Sequence, residues 1–190
     1  ASWEAFLKQI PSDVLTIVDE AYFEYVEAAD YPNSLDYHQQ GKALLTLRTF
    51  SKLYGLAGLR IGYGIAHENI ISLMHRVRQP FNVNAPAQWA ALAALNDSEH
   101  VRRSLDNNRQ GLEYLTAEFA RLGIEYVPSH ANFILLRVGK GEDVFNRLLA
   151  QGIIVRPMAG YQFPEYLRVT IGTMDENRKF IDGLKKAFGA

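Results

Sequence analysis

The first half of the chain alternates short apolar runs with polar segments and helical patterns. Residues 14–18 form a β-branched apolar run, which predicts a buried parallel strand. Two more strands are predicted over residues 43–48 and 60–66, and the polar segment between the first two predicts a loop over residues 27–42 with a short helix around 34–40. Helices are predicted over residues 3–10, 67–77 and 87–95.

The second half opens with a long amphipathic pattern over residues 99–122, which predicts one helix ending at Gly123. After Gly123 the apolar runs become shorter. Strands are predicted over residues 124–127, 132–138, 153–155 and 166–171, with a helix over 142–150 and a loop over 156–165. Thr173 and Glu176 form a capping-box pattern that opens a last helix to about Phe188. We therefore expect an α/β fold, with the long helix at a domain boundary and a small α+β domain after it.

Composition and charge narrow the class of protein. The net charge of −1 and the lack of a basic run exclude an electrostatic nucleic-acid surface. The chain has no cysteine, which excludes disulfides and thiolate metal sites and agrees with a reducing, cytoplasmic compartment. His67 and His75 lack a further ligand at metal-binding spacing, so we expect no metal site. No apolar run is long enough to span a membrane, and the first residues do not form a signal-peptide pattern.

The segment with the clearest chemistry is Thr49-Phe50-Ser51-Lys52-Leu53-Tyr54-Gly55-Leu56-Ala57-Gly58-Leu59-Arg60. Lys52 has apolar neighbours, and desolvation favours the neutral amine that can attack an aldehyde and form a Schiff base. Thr49, Ser51 and Arg60 are residue types that bind a phosphate. An aldehyde and a phosphate in one molecule indicate pyridoxal 5′-phosphate. The alternative is that Lys52 is a solvated lysine in a Gly-rich loop.

The same segment resembles the lysine signature of the fold-type I aminotransferases, in the version found in histidinol-phosphate aminotransferase and its relatives. The resemblance extends from Val14 to Phe188. It implies that residues 1–95 are the C-terminal part of the cofactor-binding large domain and residues 96–190 a linking helix and the small domain. Members of that family are longer and carry an Asn-Pro-x-x-Pro-Thr-Gly segment before these motifs. We therefore expect this chain to correspond to the C-terminal half.

Asp19 and Tyr22 follow the first predicted strand, where open α/β sheets place ligand-binding groups. Asp19 is a candidate partner for the protonated pyridine nitrogen, whose charge keeps the ring an electron sink. Val18-Asp19-Glu20-Ala21-Tyr22 is similar to the family's Asp-Glu-Ala-Tyr segment, which implies that Tyr22 hydrogen-bonds the phenolic oxygen of the cofactor. The alternatives are a turn or cap role for Asp19 and simple packing for Tyr22.

Two arginines in the second half are candidate substrate ligands. Arg168 lies inside an apolar strand, where a charge is costly unless an internal carboxylate or a bound anion pairs with it. Leu-Arg-Val-Thr-Ile-Gly-Thr is similar to the family segment whose arginine holds the α-carboxylate, which implies that role for Arg168. Arg156, in Ile-Ile-Val-Arg, resembles an arginine that helps to hold the substrate.

The resemblance implies transamination between histidinol phosphate or imidazole-acetol phosphate and glutamate or 2-oxoglutarate, in histidine biosynthesis. Lys52 would form the internal aldimine and then move a proton at the substrate α-carbon. The family works as a homodimer. Two alternatives stay open: an aromatic amino-acid aminotransferase or threonine-phosphate decarboxylase of the same fold, and a fragment that is catalytically incomplete by itself.

Overall fold

The computed structural model describes residues 2–38 and 43–189. The chain divides into two compact units, Ala1–Val101 and Arg102–Ala190. Residues 39–42, which include the end of the predicted short helix, lie outside the described residues. The predicted assignment of residues 1–95 to the cofactor-binding large domain and of residues 96–190 to a linking helix and the small domain stays a prediction.

The first unit contains a three-stranded mixed sheet. Its strands are β1 (Thr16–Asp19), β2 (Leu44–Thr49) and β3 (Gly62–Ala66), in the spatial order β1-β2-β3. The β1 strand pairs in parallel with β2, and β3 pairs antiparallel with β2. All three predicted strands are confirmed. The expectation that β1 is buried is wrong: Ile17 is 57% exposed, because a parallel strand is buried only where elements cover both sheet faces.

Three helices complete the regular structure of this unit: α1 (Trp3–Gln9), α2 (Glu68–Val77) and α3 (Ala85–Leu95). Each begins at a side chain that accepts a backbone N–H, namely Ser2, His67 and Asn84. The three helices confirm the prediction. The apolar stripe of α2 has no buried residue.

A fourth helix, α4 (Ser98–Leu122), confirms the long amphipathic prediction. Gly123 follows it at φ 66°, a left-handed conformation that suits the residue after a helix end. Neither α4 nor any other helix within residues 2–38 and 43–189 has the length and apolar character needed to cross a membrane.

The second unit is built on an antiparallel sheet in the order β4-β5-β7-β6. Its strands are β4 (Tyr126–Val127), β5 (Phe133–Arg137), β6 (Arg156–Pro157) and β7 (Tyr166–Thr170). Burial alternates along β5 and β7, so one face joins the core and the other faces outward. The α5 helix (Gly141–Leu149) and the α6 helix (Met174–Phe188) complete the unit. The most deeply buried core residues are Leu115, Phe119, Ile134, Leu136, Leu148, Leu167, Ile181 and Leu184.

The predicted strand over residues 153–155 is wrong, and the strand pairing occurs at Arg156–Pro157 instead. Ile153 N donates to Leu148 O at 3.0 Å, and Gly152 has φ 71°. This turn satisfies a carbonyl at the end of α5, so the apolar residues serve the helix end before the chain reaches the sheet. The capping box of α6 is confirmed, because Thr173 and Glu176 exchange hydrogen bonds at its start.

Candidate active site

The carboxyl ends of β1 and β2 bring two candidate segments to one edge of the first unit's sheet. Asp19 is the last residue of β1 and pairs with Leu47, two residues before Thr49 ends β2. Because β1 and β2 are parallel, the chain leaves both strands at the same edge. Ligands of open α/β sheets bind at that edge. The register therefore places the segment after Asp19 beside the segment that carries Lys52.

The loop that carries Lys52 is held by its neighbours. Phe50 and Leu53 are buried, at 6% and 3% exposure. Gly55 N donates to Lys52 O at 3.0 Å, and Gly55 has φ 70°, which glycine adopts without strain. Leu56 N donates to Phe50 O at 2.9 Å. The backbone on both sides of Lys52 is thus fixed by burial and hydrogen bonds.

The side-chain nitrogen of Lys52 lies over an aromatic ring. Its Nζ atom is 5.0 Å from the centroid of the Tyr22 ring. Among residues 2–38 and 43–189, no carboxylate lies within ion-pair distance of Lys52. Lys52 is half-buried, so part of its side chain is covered by its neighbours. The amine is held beside Tyr22 and is not neutralised by an internal carboxylate of the described chain.

His100 also supports this loop, and sequence analysis did not identify it. Its Nε2 atom lies 2.9 Å from the carbonyl oxygen of Leu53. Because a carbonyl can only accept, Nε2 carries the hydrogen and donates. His100 N in turn donates to Asp97 Oδ1 at 2.9 Å, which fixes the start of α4. No signal in the sequence connects residues that are so far apart along the chain.

Asp19 has an oriented carboxylate. Its Oδ1 atom accepts a hydrogen bond from Ala21 N at 3.1 Å, and the residue is exposed. The turn role weighed for Asp19 is therefore present, and it also holds the carboxylate at the strand end. Tyr22 is half-buried and contacts Lys52 through its ring. The packing interpretation of Tyr22 and its cofactor interpretation both agree with this position.

Backbone and side-chain hydrogen bonds join residues 49–51 to Ile61, the residue after Arg60. Thr49 Oγ1 accepts from Ser51 N at 3.0 Å and donates to Ile61 O at 3.4 Å. Phe50 N donates to the same carbonyl at 3.2 Å. Arg60, next to Ile61, has the left-handed conformation, φ 56° and ψ 58°, which costs a non-glycine residue about 1 kcal/mol. The structure thus brings the backbone of residues 49–51 beside that of residues 60–61, while the Arg60 guanidinium donates to Ala57 O at 2.8 Å.

A buried ion pair next to these segments was missed at the sequence level. Arg48 Nη2 lies 2.8 Å from Glu20 Oε2, and the two side chains are 13% and 2% exposed. Arg48 stands inside a strand that is otherwise mostly apolar, as Arg168 does, and the argument applied to Arg168 would have identified it. Nearby, burial raises the pKa of Glu24, with Arg48 acting in the opposite direction.

In the second unit, the structure places the two candidate arginines opposite each other. Arg156 of β6 pairs with Arg168 of β7 in the strand register. Arg168 Cζ lies 5.0 Å from the centroid of the Phe133 ring. Within the described part of the chain, neither guanidinium has a carboxylate within 4 Å. The internal carboxylate that was the alternative for Arg168 is therefore not found there, and two adjacent cations can share one anion.

The chain is similar to known aminotransferases over its whole length. A family model described as aminotransferase class I and II matches residues 1–184. Histidinol-phosphate aminotransferase 1 from Nitrosococcus oceani is 51% identical over 183 residues, covering 96% of this chain and 50% of the relative. The enzyme from Moorella thermoacetica is 50% identical over 188 residues, covering 98% and 49%. The chain thus spans about half the length of the curated relatives it matches.

A solved structure extends the similarity to the fold. The histidinol-phosphate aminotransferase from Sinorhizobium meliloti, in complex with pyridoxal 5′-phosphate, matches with a TM-score of 0.88 and 25% sequence identity. The match covers 97% of this chain and 52% of that structure. It confirms the predicted fold class, an α/β arrangement of fold type I. The family match, the sequence identities and the fold agree, and the chain belongs to the aminotransferase class I and II family.

Proposed function

We propose that this chain carries the lysine and the arginines of a pyridoxal-phosphate-dependent aminotransferase acting on histidinol phosphate. The reaction exchanges an amino group between histidinol phosphate or imidazole-acetol phosphate and glutamate or 2-oxoglutarate. The observation that supports this most directly is Lys52, half-buried beside the Tyr22 ring at the ligand-binding edge of a parallel strand pair. The relatives named above favour histidinol phosphate over the aromatic and threonine-phosphate alternatives.

The residues at this edge fit pyridoxal phosphate by their chemistry. Lys52 offers an amine without a carboxylate partner among the described residues, and Asp19 offers an oriented carboxylate. Thr49, Ser51 and Arg60 offer hydroxyls and a guanidinium on one loop. We assign Lys52 to the aldehyde, Asp19 to the ring nitrogen and the loop to the phosphate; Tyr22 is assigned to the phenolic oxygen. When bound, the cofactor withdraws electrons from the substrate α-carbon.

The chain's own groups then have distinct tasks. Lys52 Nζ acts as the general base that takes the proton from the substrate α-carbon and later returns it. A general base must lie within hydrogen-bond reach of the proton that it takes. Arg168 binds the α-carboxylate of glutamate or 2-oxoglutarate, and Arg156 adds a second positive charge to the same anion. We further propose that the full-length protein works as a homodimer in the cytoplasm and takes small-molecule amino-acid and 2-oxo-acid substrates.

The experiment that tests the proposal is chemical trapping with borohydride. The pure chain is mixed with pyridoxal phosphate, reduced and digested, and the pyridoxyl adduct is located by mass spectrometry. We expect the adduct on Lys52, its loss in K52A, and no change in K8A, a matched variant of an exposed lysine. Adducts spread over many lysines would contradict a cofactor site in this chain. Amino-donor assays of the full-length enzyme would then compare histidinol phosphate with aromatic amino acids and threonine phosphate.

A further inference from the structure

Between the two candidate cofactor segments lies the ion pair of Glu20 and Arg48. Glu20 directly follows Asp19, and Arg48 directly precedes Thr49. We infer that the Glu20–Arg48 pair is the positioning device that holds the Asp19–Tyr22 segment against the Lys52 loop. The inference rests on the proposed function, because only a cofactor site gives the positioning a use. Its geometry comes from the following contacts.

The pair has the geometry of a strong, oriented interaction. Arg48 Nε and Nη2 donate to Glu20 Oε2 at 2.9 and 2.8 Å. Two donors on one carboxylate oxygen fix the guanidinium plane, which a single point charge would not do. The Arg48 Cζ atom lies 4.1 Å from the centroid of the Phe23 ring. Arg48 therefore contacts the segment after β1 twice, once through Glu20 and once through Phe23, which follows Tyr22.

A third segment supplies further hydrogen bonds to the carboxylate and to the guanidinium. Glu20 Oε1 accepts from Ser34 N at 3.0 Å, and Arg48 Nη2 also donates to Asn33 Oδ1 at 3.1 Å. Ser34 Oγ lies 2.7 Å from Thr46 Oγ1 on the same strand as Arg48. A buried polar network that joins three segments favours this arrangement, because each lost bond would leave a buried group unsatisfied.

The location of this network gives it a role beyond general stability. Glu20 N donates to Leu47 O at 2.9 Å, so the β1–β2 pairing continues past Asp19 up to the ion pair. On the other side, Arg48 is followed by Thr49 and the buried Phe50, which begin the Lys52 loop. The pair thus spans the two segments at the point where each leaves the sheet. A change in its geometry displaces Asp19 and Tyr22 relative to Lys52.

Two conservative variants test the inference in the full chain. E20Q keeps the size of the Glu20 side chain and removes its negative charge. R48K keeps the positive charge at position 48 and removes the planar guanidinium that donates twice to Glu20. The matched controls are E68Q and R76K, which make the same changes at exposed positions of α2. Amide hydrogen exchange is followed by mass spectrometry. We expect exchange at least tenfold faster in peptides covering residues 19–24 and 49–55 of E20Q and R48K, with α3 unchanged and both controls like the wild type.

Three other results of the exchange measurement would contradict the inference. Unchanged exchange in both peptides would overturn it, as would faster exchange throughout the first unit or loss of folded structure in both variants. A second readout is the concentration of pyridoxal phosphate that gives half-maximal trapping at Lys52, expected to rise at least tenfold in E20Q. If the wild-type chain traps no cofactor at Lys52, the proposed function fails, while the exchange result still decides the positioning role.

Discussion

Replacing Arg156 with glutamine should stabilise the second unit while weakening its affinity for an anion. Arg156 and Arg168 occupy opposite register positions of β6 and β7, and neither has a carboxylate within 4 Å among the described residues. Directly opposite side chains have Cβ atoms about 5 Å apart, and two unit charges at that separation in water would repel by about 0.8 kcal/mol. The guanidinium groups extend beyond Cβ, so they repel less than this when the two side chains point apart. Arg156 is exposed, so its truncation removes little packing. We expect R156Q to raise the free energy of unfolding by roughly 0.2–1 kcal/mol.

The assay must report on the second unit alone. Both tryptophans, Trp3 and Trp89, belong to the first unit, so their fluorescence does not follow the sheet that carries the arginines. We would measure amide exchange of a peptide covering β7 against urea concentration, at low and high salt. Salt shortens the screening distance from about 10 Å at 0.1 M to about 3 Å at 1 M. The stability difference between R156Q and the wild type should therefore shrink as salt is raised, because salt screens the repulsion that R156Q removes.

A matched control lies in the same sheet. Arg137 of β5 has Glu125 and Glu165 at 3.1 and 3.2 Å, so R137Q removes attraction and should lower stability, with a loss that shrinks in salt. Adding 2-oxoglutarate should stabilise the wild type by binding the folded state, and should stabilise R156Q less. If R156Q is less stable than the wild type, or if the stability difference between the two does not shrink as salt is raised, the unpaired-cation argument is wrong.

Three further predictions concern single residues. G62A should destabilise the first unit by roughly 1–3 kcal/mol, because a Cβ there would lie 2.8 Å from a backbone carbonyl oxygen of β2. A Cβ at Gly58 would meet nothing within 4 Å, so G58A is the control without this clash. Urea unfolding followed by tryptophan fluorescence measures both variants. H100A should cost about 1 kcal/mol by removing the hydrogen bond to Leu53 O, and faster exchange confined to residues 52–56 would show it. The hydrogen bonds of the capping box lower the pKa of Glu176. The ionised Glu176 therefore stabilises the folded state above its unfolded-state pKa, and this stabilisation is lost as pH falls through the folded-state pKa. Unfolding curves measured over a series of pH values should show a weaker loss of stability in acid for E176Q than for the wild type.

Local rules predicted much of the fold correctly. The capping box at Thr173 and the glycine after α4 act through bonds within a few residues, so their sequence spacing determines them. The strand ending at Asp19 and the strand leading to Lys52 were also located correctly. The one misplaced strand, at residues 153–155, followed from treating an apolar run as a sheet element. Its first residue instead closes a helix end, and apolar runs do not distinguish these two uses.

The amino-acid sequence by itself supplied the candidate groups: a lysine near Phe50 and Leu53, hydroxyls and an arginine in one segment, and a carboxylate at a strand end. Only the tertiary structure decided which of these groups meet. The 5.0 Å approach of Lys52 to Tyr22, the pairing of Glu20 with Arg48 and the register that opposes Arg156 to Arg168 all join residues far apart in the chain. The reason is physical. Spacing along a chain constrains neighbours within a turn or two, whereas distant side chains are brought together by strand register and burial.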